Sequence, residues 1–335
     1  VILNWNGKHH LAEYLPSVVR SGYPNLEIIV GDNASSDGSV DYLIEKFPEV
    51  RIIRNDENYG FAGGYNQVLS QVDADYFVLL NSDVEVTPNW IEPVITLMET
   101  DNTIAAAQPK LLSYTNREKF EYAGAAGGFI DFLGYPFCRG RVFDTVETDT
   151  GQYDQSSEVF WATGAALFVK RNYWNEVGGL DADFFAHMEE IDLCWRLKNR
   201  GYKIMYCAES TVFHLGGGTL STESPYKTYL NFRNNLVMLH KNLPAMQAIV
   251  IIFLRFWLDF ISLLRFLIDG KKRNAMAINK AHTNFFRSFF RTVKKRHGHT
   301  RNFNSFGFYG GSIVWNYFVL KKKTFSQLPG KQTIS

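Results

Sequence analysis

Tyr76-Phe77-Val78-Leu79-Leu80-Asn81-Ser82-Asp83 runs from five aromatic and aliphatic residues straight into a polar triplet that ends in a carboxylate. An apolar run without alternation predicts a strand buried on both faces, as in a parallel sheet. The pattern recurs upstream. Val1–Leu3, Leu26–Val30 and Val50–Ile53 are apolar, and NWNG, GDNASSDGS and RNDENYGFAGG follow them. Amphipathic stretches lie between, so residues 1–110 read as strands joined by crossover helices. In such a sheet the ligand crevice lies beyond the carboxyl ends of the strands, where these four polar segments converge.

The rest of the chain is less regular. Residues 105–169 are rich in glycine and aromatic residues and read as irregular strands and loops over a cleft. A Gly-Gly turn, a helix over 189–200 and a strand over 204–213 ending at His214 are expected next. After Pro225 the pattern is helical throughout. With 335 residues, 46% hydrophobic and 15% aromatic, the chain can bury one substantial core and carry a smaller appendage. A net charge of +1 offers no electrostatic case for nucleic acid. Cys138, Cys194 and Cys207 form no CxxC pair, which argues against a disulfide framework or a thiolate zinc site and makes a reducing cytoplasm the simplest compartment. Opening on Val1 inside an apolar run, the sequence is read as beginning partway into its first strand.

Each polar segment can be read as chemistry or as plain turn-making. In Gly31–Ser39, turn formation and helix capping account for Ser36–Ser39, but Asp32 sits at a strand end, where a capping role is not open to it. Asn58–Asn66 holds Gly60, Gly63 and Gly64, which let backbone approach a bulky ligand before a helix expected near Gly64; a tight turn is the plainer reading. Asp83 is placed where an oxygen-ligated metal on a diphosphate needs a carboxylate, although a single Asp after a strand is ordinarily a turn residue. Glu189 and Glu190 follow a run of Phe and Met, surroundings that raise a carboxyl pKa toward the range of a general base. Asp192 is explained by the helix dipole and an i,i+4 pair with Arg196. His214, followed by Leu215-Gly216-Gly217-Gly218-Thr219, would face the crevice as a metal ligand or serve as a strand-end residue.

In order and spacing, DNASSDGS, NYGFAGGYN, LLNSDVE, WATGA (Trp161–Ala165) and FFAHMEEIDLCWR resemble the family 2 glycosyltransferases of GT-A fold, particularly the bacterial rhamnosyltransferase-like and galactofuranosyltransferase-like branch. The resemblance covers residues 1–220. It implies an α/β fold with a mixed, mainly parallel Rossmann-like sheet flanked by helices. It divides the chain into a catalytic domain over 1–222, with nucleotide-sugar binding in 1–110 and acceptor binding in 111–222, and a helical, basic C-terminal region over 223–335. Carried over by position, Asp32 contacts the nucleotide base, and Asn4, Asn58, Gly60, Gly63, Gly64, Asn66 and Asn81 surround the donor. Asn81-Ser82-Asp83 takes the place of the DxD motif with Asn for the first acid, so Asp83 is the remaining carboxylate ligand and His214 completes the site for a divalent cation, Mg2+ or Mn2+. Glu190 falls on the catalytic base, one methylene longer than the usual Asp, and Glu189 is its rival. The implied reaction inverts the anomeric centre, from a nucleotide diphosphate sugar to a glycan or lipid-linked glycan. The sequence lacks the QxxRW motif of processive synthases.

Ala245–Ile268 is long enough to span a bilayer, yet Arg255, Asp259 and Arg265 interrupt it, each at a cost of about 2.5–3.5 kcal/mol at the bilayer centre. An interfacial or packed amphipathic helix is therefore expected, followed by a basic stretch from Gly270 to Arg301 with Lys294-Lys295-Arg296 and four phenylalanines, suited to an anionic surface on the inner face of the cell membrane. The plainer reading is helices packed on the catalytic domain or on a second copy of the chain. Two further readings stand beside the transferase. A nucleotidyltransferase lacks support because no glycine-rich loop with Arg and Lys follows the first strand. A catalytically silent sugar-nucleotide-binding or membrane scaffold protein is kept open by Asn81 and Glu190.

Overall fold

The computed structural model describes residues 1–216, 224–296 and 303–329. Gly217, Gly218 and Thr219 of the loop after His214, the division at 222/223 and the end of the basic stretch at Arg301 lie outside the described residues. The first half alternates strands and helices as expected: β1 (Ile2–Asn4), α1 (Lys8–Val19), β2 (Ile29–Asp32), α2 (Ser39–Lys46), β3 (Arg51–Arg54), α3 (Gly60–Leu69), β4 (Tyr76–Asn81), β5 (Val84–Val86), α4 (Glu92–Glu99) and β6 (Ile104–Ser113). Short strands β7 (Gly128–Asp131), β8 (Pro136–Cys138), β9 (Arg141–Val142), β10 (Thr145–Val146) and β11 (Ser157–Val159) lead to β12 (Ala166–Lys170), α5 (Arg171–Val177), α6 (Glu189–Asn199) and β13 (Lys203–His214). Then come α7 (Pro225–Asn242), α8 (Ala245–Ile268), α9 (Lys272–Arg287), α10 (Phe289–Lys294) and β14 (Phe308–Tyr309).

One mixed sheet runs β11-β13-β6-β12-β4-β1-β2-β3, with β5 on β13; a second small sheet runs β10-β9-β8-β7-β14. Strands β4, β1, β2 and β3 are parallel, so their polar ends lie along one rim. Successive residues of these strands feed opposite cores. Ile29 and Leu79 pack with α3, α5 and α6, whereas Val30 and Leu80 pack with α1, α2 and α4. That two-sided burial is why the runs read as continuous hydrophobicity.

Three expectations need correction. Residues 105–169 are not all irregular: β6 is a ten-residue strand inside the main sheet, parallel to β13 and antiparallel to β12. Its pattern is hidden by buried Gln108 and Lys110, the latter paired with Asp149 at 2.9 Å. Helix α3 starts at Gly60, four residues before Gly64, because the Phe185 carbonyl accepts from the Phe61 and Ala62 amides at 2.7 and 3.1 Å and so satisfies the new helix end. The chain after Pro225 is not helical throughout. Strand β14 covers the open edge of β7, and Phe325 and Leu328 return to the main core.

Candidate active site

At the rim, Asn4 Nδ2 donates to Asp32 Oδ1 and to Ser35 Oγ, both at 3.1 Å, while Asp32 Oδ2 accepts from the Ser35 amide at 3.0 Å. Asn33 is the hub beside them. Its Nδ2 donates to Asn58 Oδ1 at 2.9 Å and to the Gly60 carbonyl at 3.0 Å, and its Oδ1 accepts from Asn55 Nδ2 at 3.0 Å. The ends of β1, β2 and β3 and the start of α3 thus form one polar net, from which the buried Asn4 Oδ1 projects without a hydrogen-bond partner among the described residues. A cavity of about 380 Å³ opens over Asp32, Ser35, Ser36, Arg54 and Asn55.

Not every glycine-rich-loop residue joins this net. Gly63 and Gly64 are packed so tightly that a Cβ would lie 2.9 Å from Tyr59 Cβ and 2.8 Å from Leu3, respectively. Asn66 commits its amide to the Leu180 backbone, donating at 2.7 Å and accepting at 3.0 Å, which ties α3 to the segment before α6.

Where β4 ends, β13 brings His214 alongside. His214 Nε2 lies 3.1 Å from Asp83 Oδ1 and 3.4 Å from Asn81 Nδ2, and its Nδ1 lies 3.4 Å from Glu121 Oε1. Burial alone would push this imidazole down, but the charge of Glu121 and the bond to Asp83 outweigh it and raise the group to about 10. Burial likewise opposes ionisation of Asp83, and His214 overrides it, holding that carboxyl below its usual range. Asp83 is the oxygen ligand that Mg2+ or Mn2+ takes, and His214, held protonated by Asp83 and Glu121, would have to release that proton to add its nitrogen. Among the described residues no three His, Cys, Asp or Glu side chains could hold a metal ion, so further coordination would come from water or a bound ligand.

The third group sits at the start of α6. The loop before it holds three non-glycine residues left-handed: Phe185 at φ 65°, His187 at 70° and Met188 at 73°. Helix α7 clamps that loop. Asn234 Nδ2 donates to the carbonyls of Phe184, Ala186 and His187 at 3.0, 2.8 and 2.7 Å, and Arg233 Nη2 donates to those of Asp183 and Phe184 at 2.9 Å each. On the other side the loop meets Gly60, whose φ of 70° and contact with Phe185 leave no room for a Cβ, which would lie 2.5 Å from the ring.

In the first turn of α6, directly after this loop, stand the two glutamates. Burial, and then the charge of Glu190, drive Glu189 well above the ordinary carboxyl range. Burial raises Glu190 to about 7, against the pull of backbone amides. Both Oε2 atoms are buried with no hydrogen-bond partner among the described residues. Gly164 of the WATGA segment lies against Glu190, where a Cβ would sit 3.8 Å from Glu190 Cβ and 3.2 Å from Phe61. Asp192 is structural, as the helix pattern predicts: Arg196 Nε reaches it at 2.8 Å and Lys241 Nζ at 2.9 Å.

Sequence reasoning missed Asn33, Glu121, Arg233 and Asn234. Asn33 was legible in principle, as the neighbour of Asp32 in a polar strand end. Glu121 stands alone in EYAGAAGG and carries no local signal. Asn234 lies in NFRNN, an unusually amide-rich stretch for a helix, and that was the available clue.

Residues 1–147 match the family model described as Glycosyl transferase family 2. The chain is 25% identical over 232 residues to N-acetylglucosaminyl-diphospho-decaprenol L-rhamnosyltransferase of Mycobacterium tuberculosis, covering 64% of this chain and 74% of that one. Over 219 residues it is 24% identical to the low-salt glycan biosynthesis hexosyltransferase Agl10 of Haloferax volcanii, covering 63% and 66%. In fold it resembles S. aureus TarS 1–349 in complex with UDP-GlcNAc, with a TM-score of 0.57 and 12% identity over 88% of this chain and 82% of that one. It also resembles GalNAc-T7 with UDP, GalNAc and Mn2+, with a TM-score of 0.55 and 18% identity over 72% of this chain, and it spans about half, 47%, of that longer protein. Over residues 1–147 the chain is similar to the family 2 glycosyltransferases, over 232 residues it is similar to a rhamnosyltransferase, and its fold is that of the GT-A glycosyltransferases.

Proposed function

We propose that the protein moves a sugar from a nucleotide diphosphate sugar to a hydroxyl of a lipid-linked glycan, with inversion and with a divalent cation, during cell-surface polysaccharide or glycolipid assembly at the cytoplasmic face of the membrane. The observation that carries this reading is Glu190, whose buried Oε2 lacks a hydrogen-bond partner among the described residues, raised to about 7 at the end of a clamped loop that meets the donor-side helix α3. The M. tuberculosis relative is named for a diphospho-decaprenol acceptor, which supports the lipid-linked class.

In this mechanism the base net around Asp32 and Asn33 orients the nucleotide, and Glu190 accepts the proton of the acceptor hydroxyl. The freed oxygen forms its bond to the anomeric carbon from the face opposite the diphosphate. The bond from that carbon to the diphosphate oxygen breaks, and its electron pair leaves with the nucleoside diphosphate. Asp83 and His214, with Asn81 beside them, would hold the divalent cation, which supplies neutralisation of leaving-group charge when bound.

The test is release of nucleoside diphosphate from a panel of sugar nucleotides, with acceptor, in Mn2+, in Mg2+ and in chelator. Metal-dependent release with one donor, and a product of inverted configuration, is the expected result. Equal turnover in chelator would sink the cation role, and a product of retained configuration would sink the single displacement.

A further inference from the structure

Helix α8 is 24 residues long, about 36 Å, and by length and composition could cross a bilayer. Its central charges are committed to protein instead. Arg255 and Asp259 are buried; Arg255 Nη1 donates to the Leu133 carbonyl at 3.0 Å, and its guanidinium lies 3.8 Å from the Tyr135 ring centroid. Asp259 Oδ2 lies 3.0 Å from His282 Nε2 on α9. A crossing helix would leave these partners and carry both charges into hydrocarbon.

What the inward turn of those charges leaves outside is a clean stripe. Met246, Ile249, Phe253, Trp257, Phe260 and Leu264 recur at steps of three and four, each between 43% and 73% exposed. Helix α9 extends it, because Phe286 stacks on Phe256 of α8 at 5.4 Å, and beyond it Phe290 on α10 is 80% exposed. Such a continuous apolar surface marks an interaction face. The charge around it names the occupant. No Asp or Glu follows Asp269 in the sequence, whereas Lys271, Lys272 and Arg273 are exposed where α8 ends and Arg287 and Lys294 are exposed beside the phenylalanines. Lys295 and Arg296 do not belong to this rim, since they bind Asp181 and Asp183 and the carbonyls of His240 and Leu243, as the packing reading of the basic cluster expects.

We propose that the outer face of α8, continued by Phe286 and Phe290, docks flat on an anionic lipid bilayer. The apolar stripe sinks about 5–10 Å into the headgroup boundary while the basic rim meets anionic headgroups. A second copy of the chain fits less well, because a two-fold contact on this face would set the same basic rim against itself. The inference rests on the proposed lipid-linked acceptor only for its purpose; the surface itself is independent of catalysis.

Sedimentation of the full chain with phosphatidylcholine vesicles, alone or mixed with phosphatidylglycerol, tests it. Wild type should pellet with the mixed vesicles. Phe253→Glu with Trp257→Glu should reduce the bound fraction about tenfold at any salt, whereas Lys272→Glu with Arg273→Glu should abolish only the preference for anionic lipid. Turnover on a short water-soluble acceptor without vesicles should be unchanged in both variants, which separates this proposal from the transferase mechanism. Wild type remaining in the supernatant with both vesicle types would overturn the proposal, as would normal pelleting of the stripe variant. A wild-type dimer that the stripe variant dissociates, without vesicle binding, would assign the face to a second copy.

Discussion

At the ends of β1–β3, Asn4, Asp32, Asn33, Asn55 and Asn58 are tied into one net by hydrogen bonds among themselves and to Ser35 and Gly60, whereas the loop entering α6 holds three residues left-handed and leaves two adjacent carboxylates short of partners among the described residues. The first arrangement is a preset surface, one that can bind a nucleotide with little rearrangement. The second is costly on its own terms: left-handed non-glycine residues and buried acids each destabilise the fold. It persists because helix α7 supplies Arg233 and Asn234 to the loop carbonyls. On the proposed roles, recognition and reactivity are built by opposite means.

The sharpest break of this contrast is Glu190→Gln, which keeps size but cannot take a proton; kcat should fall between about 100- and 10,000-fold with donor KM nearly unchanged. Since the base works deprotonated and its pKa is raised to about 7, wild-type kcat/KM should climb with pH and level off above neutrality. A dead Glu189→Gln beside an active Glu190→Gln would move the base by one residue. Asp83→Ala comes next, with a loss on the order of 100-fold in Mn2+ and no further loss in chelator, read as nucleoside diphosphate release. If the variant is equally impaired under both conditions, Asp83 is structural.

Asn234→Ala addresses the clamp. Removing the Asn234 bonds to the Ala186 and His187 carbonyls, while Phe184 keeps Arg233, should cost about 1–3 kcal/mol in denaturant melts and lower kcat on the order of tenfold with donor KM kept, because the loop leading to Glu190 relaxes. An equal fall in donor affinity would mean that the loop also shapes the donor pocket. Asp32→Asn should show the complementary split, raising donor KM about tenfold at constant kcat. The smallest effect concerns stability. Burial raises Glu189 above its unfolded value, so the unfolded chain ionises first and wild-type stability declines as pH rises from the ordinary carboxyl range toward the folded pKa. Glu189→Gln removes that loss: Tm should rise by about 2 °C at alkaline pH and change little in acid. An identical shift at both pH values would show that the acid is not buried neutral.

Patterns confined to a few neighbouring residues are legible in the sequence by itself. The four apolar runs, the polar segments after them, α6 within one residue of its end, His214 at the close of β13 and the Asp192–Arg196 pair all follow from periodicity and short spacing. Positions whose meaning depends on a partner far along the chain are not. Nothing near Glu121 announces that it will flank His214, nothing near Asn66 that its amide will hold Leu180, and nothing in Arg255 or Asp259 that both will turn inward. Strand β6 hides for the same reason, since Lys110 is tolerated inside the sheet because Asp149 and Asp154 arrive from a distant part of the chain. Local sequence sets what a segment can form; which face it buries, and which charges it can hold there, depend on neighbours that folding brings together.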